Sequence, residues 1–152
     1  MDNSAAIPSE SGADQVPDPV KDAEAAVAAL ANSFLEWITA DIDKAKQALA
    51  AAQGKPGDNQ PELREIFGVV HNVKGQGGSF GYDLLTKIGG SMCDYLRSET
   101  ASASDKQLKV VAAHFAAMDF VLEKNIQGSG GDVGTQLIGK IQQLVSNIPA
   151  PE

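Results

Sequence analysis

The most constraining feature of this sequence is a series of apolar residues spaced three and four positions apart. That spacing places side chains on one face of an α-helix, which repeats every 3.6 residues. Stretches rich in glycine and proline, which interrupt helices, separate five such segments. The pattern predicts an all-α protein, an antiparallel four-helix bundle with an additional helical element. The predicted helices cover 20–52, 61 to the glycine-rich stretch at 75–81, 82–98, 104 to just before Gly128, and 133–147.

Two helix starts carry capping signals. Asp18 precedes Pro19, which combines a good N-cap residue with proline at the first helical position. Ser104 opens a capping box ahead of the fourth helix. Residues 1–18 show almost no apolar periodicity, so we expect a flexible tail followed by one domain over 19–148.

The chain is acidic, with a formal net charge of −8 and a pI of about 4.6. Binding to nucleic acid or to an anionic membrane surface needs a basic face, so neither partner is expected. The N-terminus does not resemble a signal peptide, and no apolar run is long enough to span a bilayer. The single cysteine, Cys93, excludes an internal disulfide. We therefore expect a cytoplasmic protein.

The second predicted helix carries a histidine outside its apolar face. On a helical wheel, His71 lies on the order of 100° from the apolar cluster. Its neighbours three, four and seven positions away include Gly68, Lys74, Gly75 and Gly78. The imidazole is therefore expected to stand beside a surface with few side chains and one ammonium group.

This concentration of glycine is costly in a helix. Each glycine is about 1 kcal/mol less favourable than alanine, so the four glycines between positions 68 and 78 would together cost roughly 4 kcal/mol. A typical domain is stable by only about 5–15 kcal/mol. The close approach of another protein surface to His71 would explain the pattern, because glycine leaves the backbone uncovered.

The side chains around His71 suit phosphoryl transfer. Neutral imidazole is a nucleophile near neutral pH, and one of its ring nitrogens can accept a phosphoryl group. Lys74 can provide positive charge for the phosphoryl oxygens. The sequence shows no carboxylate triad and no second histidine nearby. We therefore interpret the site as an acceptor that relies on a partner protein for the remaining chemistry.

Other candidate motifs have structural interpretations. His114 lies at the edge of the apolar stripe of the fourth helix, which favours a partly buried structural histidine, and Cys93 is expected to be buried. The segment 134–140, GTQLIGK, imitates a P-loop but is followed by isoleucine instead of Ser or Thr. The glycines of 75–81 do not have dinucleotide-loop spacing. Two distant histidines without paired cysteines make a zinc site improbable.

Residues 71–81, HNVKGQGGSFG, are similar to the signature of the histidine-containing phosphotransfer (HPt) family. In that resemblance His71 is the phosphorylated histidine, Lys74 its basic neighbour, and Gly75 the small residue that leaves room for a receiver domain. An apolar residue followed by glycine closes the motif. The helical pattern over about 20–147 also resembles the family's four-helix bundle with an extra N-terminal element.

The resemblance implies a phosphorelay protein. A receiver domain would transfer the phosphoryl group from its aspartate to His71, and a second receiver would accept it. The implied partners are receiver domains and a hybrid sensor histidine kinase. Mg²⁺ is expected in the receiver, and no cofactor or metal is expected in this chain. We expect a monomer without ATP-dependent kinase activity. The predicted docking residues are Gly68, Gly75, Gly78, Arg64, Gln76, Ser79 and Tyr82.

Two alternatives stay open at this point. The chain could be an HPt-like module that binds a receiver or sensor kinase without carrying phosphate, although the presence of His71 argues against this. It could also be a helical bundle without a signalling role, although the glycines around a lone surface histidine argue against that. Acid-labile, alkali-stable phosphate on the protein would distinguish the phosphocarrier from both.

Overall fold

The structure, a computed structural model, describes residues 18–152, and all regular secondary structure in that range is helical. The predicted all-α class is therefore confirmed. The predicted tail at 1–18 falls outside the described residues except for Asp18. No helix within 18–152 has both the length and the apolar character needed to cross a lipid bilayer. The helices are α1 (Pro19–Gln53), α2 (Gln60–Gly77), α3 (Asp83–Tyr95), α4 (Asp105–Glu123) and α5 (Gly131–Asn147), with a 3-10 turn at Gly78–Phe80 after α2.

The chain divides into two compact units, one ending at Phe34 and the other comprising Leu35–Glu152. The first unit holds the start of the apolar stripe of α1, where Val27 and Leu30 are 65% and 61% exposed. Periodicity identifies the apolar face of a helix but not whether another element covers it. In the second unit the same stripe is buried, at Ile38, Ile42, Ala45 and Leu49.

Both predicted capping signals are confirmed. The carboxylate of Asp18 accepts a hydrogen bond of 3.0 Å from the backbone N–H of Val20, and Pro19 is the first helical residue. At α4, Ser104 Oγ accepts from the N–H of Gln107 at 3.3 Å, and Gln107 Oε1 accepts from the N–H of Ser104 at 2.8 Å. The helix starts therefore follow from local hydrogen bonding.

Within the second unit, α3 and α4 run antiparallel. Tyr82, just before α3, hydrogen-bonds Asn125, just after α4, and Ser91 in α3 hydrogen-bonds His114 in the middle of α4. Residue numbers therefore rise along α3 in the direction in which they fall along α4. The last helix, α5, packs on α3 and α4.

A buried asparagine joins two helix connections. The Asn59 side-chain amide donates to the carbonyls of Ala52 at 3.3 Å and Ala103 at 3.0 Å, and its oxygen accepts from the Ala103 N–H at 2.8 Å. These bonds hold the end of α1 beside the segment that leads into α4. Lys46 of α1 also forms an ion pair with Asp119 of α4. Together they fix the part of α1 that belongs to the second unit against the bundle that carries His71.

Candidate functional site

His71 lies on the solvent side of α2. The helix buries its opposite face through Leu63, Ile66, Val70, Val73 and Gly77, while His71 is exposed. The imidazole stacks on the ring of Phe67, with centroids 6.0 Å apart and planes inclined by 29°. No residue between 18 and 152 hydrogen-bonds either imidazole nitrogen. Both nitrogens are therefore available to an incoming group, and the prediction that His71 lies outside the core is confirmed.

Two of the glycines beside His71 face open space. A Cβ atom added at Gly68 or at Gly75 would find no atom within 4 Å apart from the adjacent residues and the nearby backbone of α2 itself. At Gly78, which is also exposed, an added Cβ would make an ordinary contact of 3.4 Å with Thr86 Oγ1. The surface of α2 therefore carries no side chain at Gly68 or Gly75 on either side of His71, as close approach of another protein to the imidazole requires.

Gly77 has a different role from Gly68, Gly75 and Gly78. It is buried, and a Cβ there would lie 3.0 Å from Leu85 Cβ and 3.2 Å from the Tyr82 carbonyl oxygen. This glycine allows the end of α2 to approach the start of α3. Its cost is thus explained by helix packing and not by access to His71.

Lys74 is exposed one turn after His71, as predicted, and its main chain is held by α3. A Cβ added at Gly89 would lie 3.1 Å from Lys74 Cβ and 3.2 Å from its Cα. Thr86 donates its hydroxyl to the Lys74 carbonyl at 3.0 Å. Sequence reasoning missed these contacts, although the adjacent pair Gly89 and Gly90 inside a predicted helix was a visible signal.

The prediction that Tyr82 is an exposed docking residue is wrong. Its side chain is only 4% exposed, and its hydroxyl donates to Asn125 Oδ1 at 2.6 Å. The aromatic ring fills the junction before α3 and its polar end reaches a partner, as is usual for buried tyrosine. Arg64, Gln76 and Ser79 are exposed, and their part in docking stays a prediction.

His114 is a structural histidine, completely buried in α4. Its Nδ1 lies 2.8 Å from the Val110 carbonyl, which can only accept, so Nδ1 carries the proton. Nε2, at 2.9 Å from Ser91 Oγ, then accepts from that hydroxyl. Burial lowers the pKa of His114, although the bond to Val110 partly opposes this. The ring is thus neutral and inaccessible to a phosphoryl donor.

Cys93 is buried, as expected, and forms no disulfide. Its burial raises the pKa of the thiol, which keeps it protonated and unreactive. Within residues 18–152, no three side chains of the His, Cys, Asp or Glu types converge in a way that could hold a metal ion.

Comparison with known protein families matches residues 29–128 to the Hpt domain, which covers more than half of the 152 residues. No curated protein and no solved structure gives a significant match. The matched range contains α2 with His71 and Lys74, α3 and α4. The helical architecture and the matched range agree with the resemblance carried by residues 71–81, and the chain belongs to the Hpt domain family.

Proposed function

We propose that this chain is a phosphocarrier of a phosphorelay and that His71 is its phosphoacceptor. Membership of the Hpt family implies histidine phosphotransfer. The observation that supports His71 is its exposure on α2 between two glycines with open surroundings, Gly68 and Gly75. The other histidine, His114, is buried and hydrogen-bonded at both nitrogens.

The transfer forms one bond and breaks another. The lone pair of one nitrogen of neutral His71 attacks the phosphorus of an aspartyl phosphate on a receiver domain. The bond from phosphorus to the aspartyl oxygen breaks, and its electron pair leaves with the carboxylate. The proton on the other ring nitrogen stays in place and gives a phosphorylated imidazolium. The reverse sequence, with an aspartate of a second receiver as nucleophile, discharges the carrier.

Lys74 contributes positive charge to this step. In phosphoryl transfer the negative charge is spread over the oxygens of the moving group, and catalysis consists largely of positioning and charge stabilisation. Lys74 lies one turn from His71 and is exposed, so its flexible ammonium can reach a phosphoryl group on the imidazole. The Mg²⁺ expected in the receiver would supply the remaining positive charge.

The receiver would dock across the bare surface of α2. An incoming active site must bring phosphorus to within bonding distance of the imidazole, which requires close approach of the two backbones. Gly68 and Gly75 permit this because nothing projects from the helix at those positions. Arg64, Gln76 and Ser79 are exposed nearby and are proposed to contribute to partner choice. A hybrid sensor kinase is the proposed source of phosphate.

A three-component assay tests the carrier function. A receiver labelled with phosphate is mixed with the purified chain and Mg²⁺, and a second receiver is added afterwards. We expect acid-labile, alkali-stable label to move first to the chain and then to the second receiver. Binding of several receivers without any label on the chain would instead favour the interaction module that carries no phosphate.

A further inference from the structure

We propose that Thr86 and Gly89 of α3 are positioning residues that place Lys74 for phosphoryl transfer to His71. This inference rests on the proposed function. Both residues contact the main chain or the Cβ of Lys74, although they lie on a different helix. They are three positions apart on α3 and therefore occupy the same face of that helix.

Gly89 sets how closely α3 approaches Lys74. An added Cβ would lie 3.1, 3.2 and 3.3 Å from the Cβ, Cα and backbone nitrogen of Lys74. These are tighter than ordinary van der Waals contacts, and all three atoms belong to the rigid part of the residue. Alanine at position 89 must therefore displace the turn of α2 that carries Lys74, or α3 itself, by a few tenths of an ångström. The neighbouring Gly90 also faces Lys74, since a Cβ there would lie 3.9 Å from Lys74 Cε.

Thr86 holds the same turn through a hydrogen bond. The last carbonyls of an α-helix have no partner within the helix, and α2 ends at Gly77, so the Lys74 carbonyl belongs to this last turn. The Thr86 hydroxyl donates to that carbonyl at 3.0 Å. This bond fixes the point from which the lysine side chain begins, one turn from the imidazole.

The two contacts act together on one chemical group. Lys74 is a flexible side chain with an exposed end, so the position of its ammonium depends on where its stem is anchored. A shift of about 1 Å in a catalytic group can lower a rate by up to about 100-fold. The contacts of Thr86 and Gly89 thus fix the point on α2, one turn from His71, from which the ammonium extends.

A double-mutant cycle tests the proposal. The variants are Thr86→Val, which keeps the shape and removes the hydrogen bond, and Gly89→Ala, each made with Lys74 and with Lys74→Ala. We expect each to slow transfer from a receiver about 10-fold when Lys74 is present and to have no further effect when it is absent. Gly139→Ala, at an exposed α5 position with no atom within 4 Å, is the matched control and should leave the rate unchanged.

Equal slowing in both backgrounds would show a general structural effect and would overturn the proposal, as would an unchanged rate on removal of Lys74. A nuclear magnetic resonance measurement distinguishes failure of the positioning role from failure of the proposed phosphocarrier function. The two Hε protons of Lys74 should have distinct shifts in the wild type and should converge in Thr86→Val and Gly89→Ala. Converged shifts in the wild type would overturn the positioning role, whereas absence of transfer with distinct shifts would overturn only the phosphocarrier function.

Discussion

The imidazole of His71 stacks on the ring of Phe67, one helical turn earlier on α2, with the ring centroids 6.0 Å apart. Both residues belong to the same helix, so the histidine is oriented by its own element without a hydrogen bond to either nitrogen from the described part of the chain. A contact of this kind contributes about 0.5–1.5 kcal/mol at most. His71 is thus oriented but chemically free, which suits a group that must be phosphorylated and then released.

Alanine at two neighbouring glycines should have opposite effects on stability. Gly75→Ala should raise the free energy of unfolding by about 1 kcal/mol, because the new methyl group meets open space in a helix. Gly77→Ala should lower it by about 1–2 kcal/mol, because its Cβ would press against Leu85 and Tyr82. Urea denaturation measures both values. Effects of the same sign would contradict the conclusion that Gly75 faces open space whereas Gly77 packs against α3.

A large side chain at Gly75 should block the partner without unfolding the protein. We expect Gly75→Leu to keep the melting temperature of the wild type or exceed it, and to reduce the rate of transfer from a receiver at least about 100-fold, because the leucine would hold the two backbones apart. Gly139→Leu on α5 is the control, since that site is equally open. Transfer by Gly75→Leu as fast as by this control would show that the receiver does not approach α2 closely at Gly75.

The protein should lose stability on mild acidification because of His114. Burial lowers the pKa of this histidine in the folded state, so below about pH 6.5 the unfolded chain binds more protons than the folded chain. The free energy of unfolding therefore falls as the pH decreases from about 7 towards the lowered pKa. A titration of the His114 Hε1 signal should have its midpoint below 6.5. A midpoint at or above that value would be inconsistent with the buried, neutral imidazole.

Removing the hydroxyl of Tyr82 should affect stability and not transfer. Tyr82→Phe loses the hydrogen bond to Asn125, whose Oδ1 still accepts from Gln127 Nε2 at 3.2 Å, so the free energy of unfolding should fall by about 0.5–1.5 kcal/mol. In an Asn125→Gly background, which suits the positive φ of 52° there, the same substitution should cost clearly less. A tenfold loss of transfer in Tyr82→Phe at unchanged stability would restore a docking role.

Local signals in the sequence were enough to predict the helices and the exposure of His71. The capping residues Asp18 and Ser104 act within one helical turn, and the stripe of α2 separates its buried face from His71 on a single helix. No information about other elements was needed for these inferences.

The features that the sequence did not reveal all depend on contacts between elements. Periodicity alone did not show that Val27 is exposed or that Tyr82 is buried near the end of α4. Gly77 looked like Gly75 along the helix, and only the position of α3 separates a packing glycine from an accessible one. The contact of Gly89 with Lys74 likewise requires the register between α2 and α3.

The most direct test of the central claim compares wild type with His71→Gln in transfer from a phosphorylated receiver with Mg²⁺. The melting temperature should fall by no more than about 6 °C, because the substitution removes only the stacking contact with Phe67, about 0.5–1.5 kcal/mol. We predict that wild type acquires acid-labile label and that His71→Gln acquires none. Label on a folded His71→Gln protein would contradict the assignment of His71 as the phosphoacceptor.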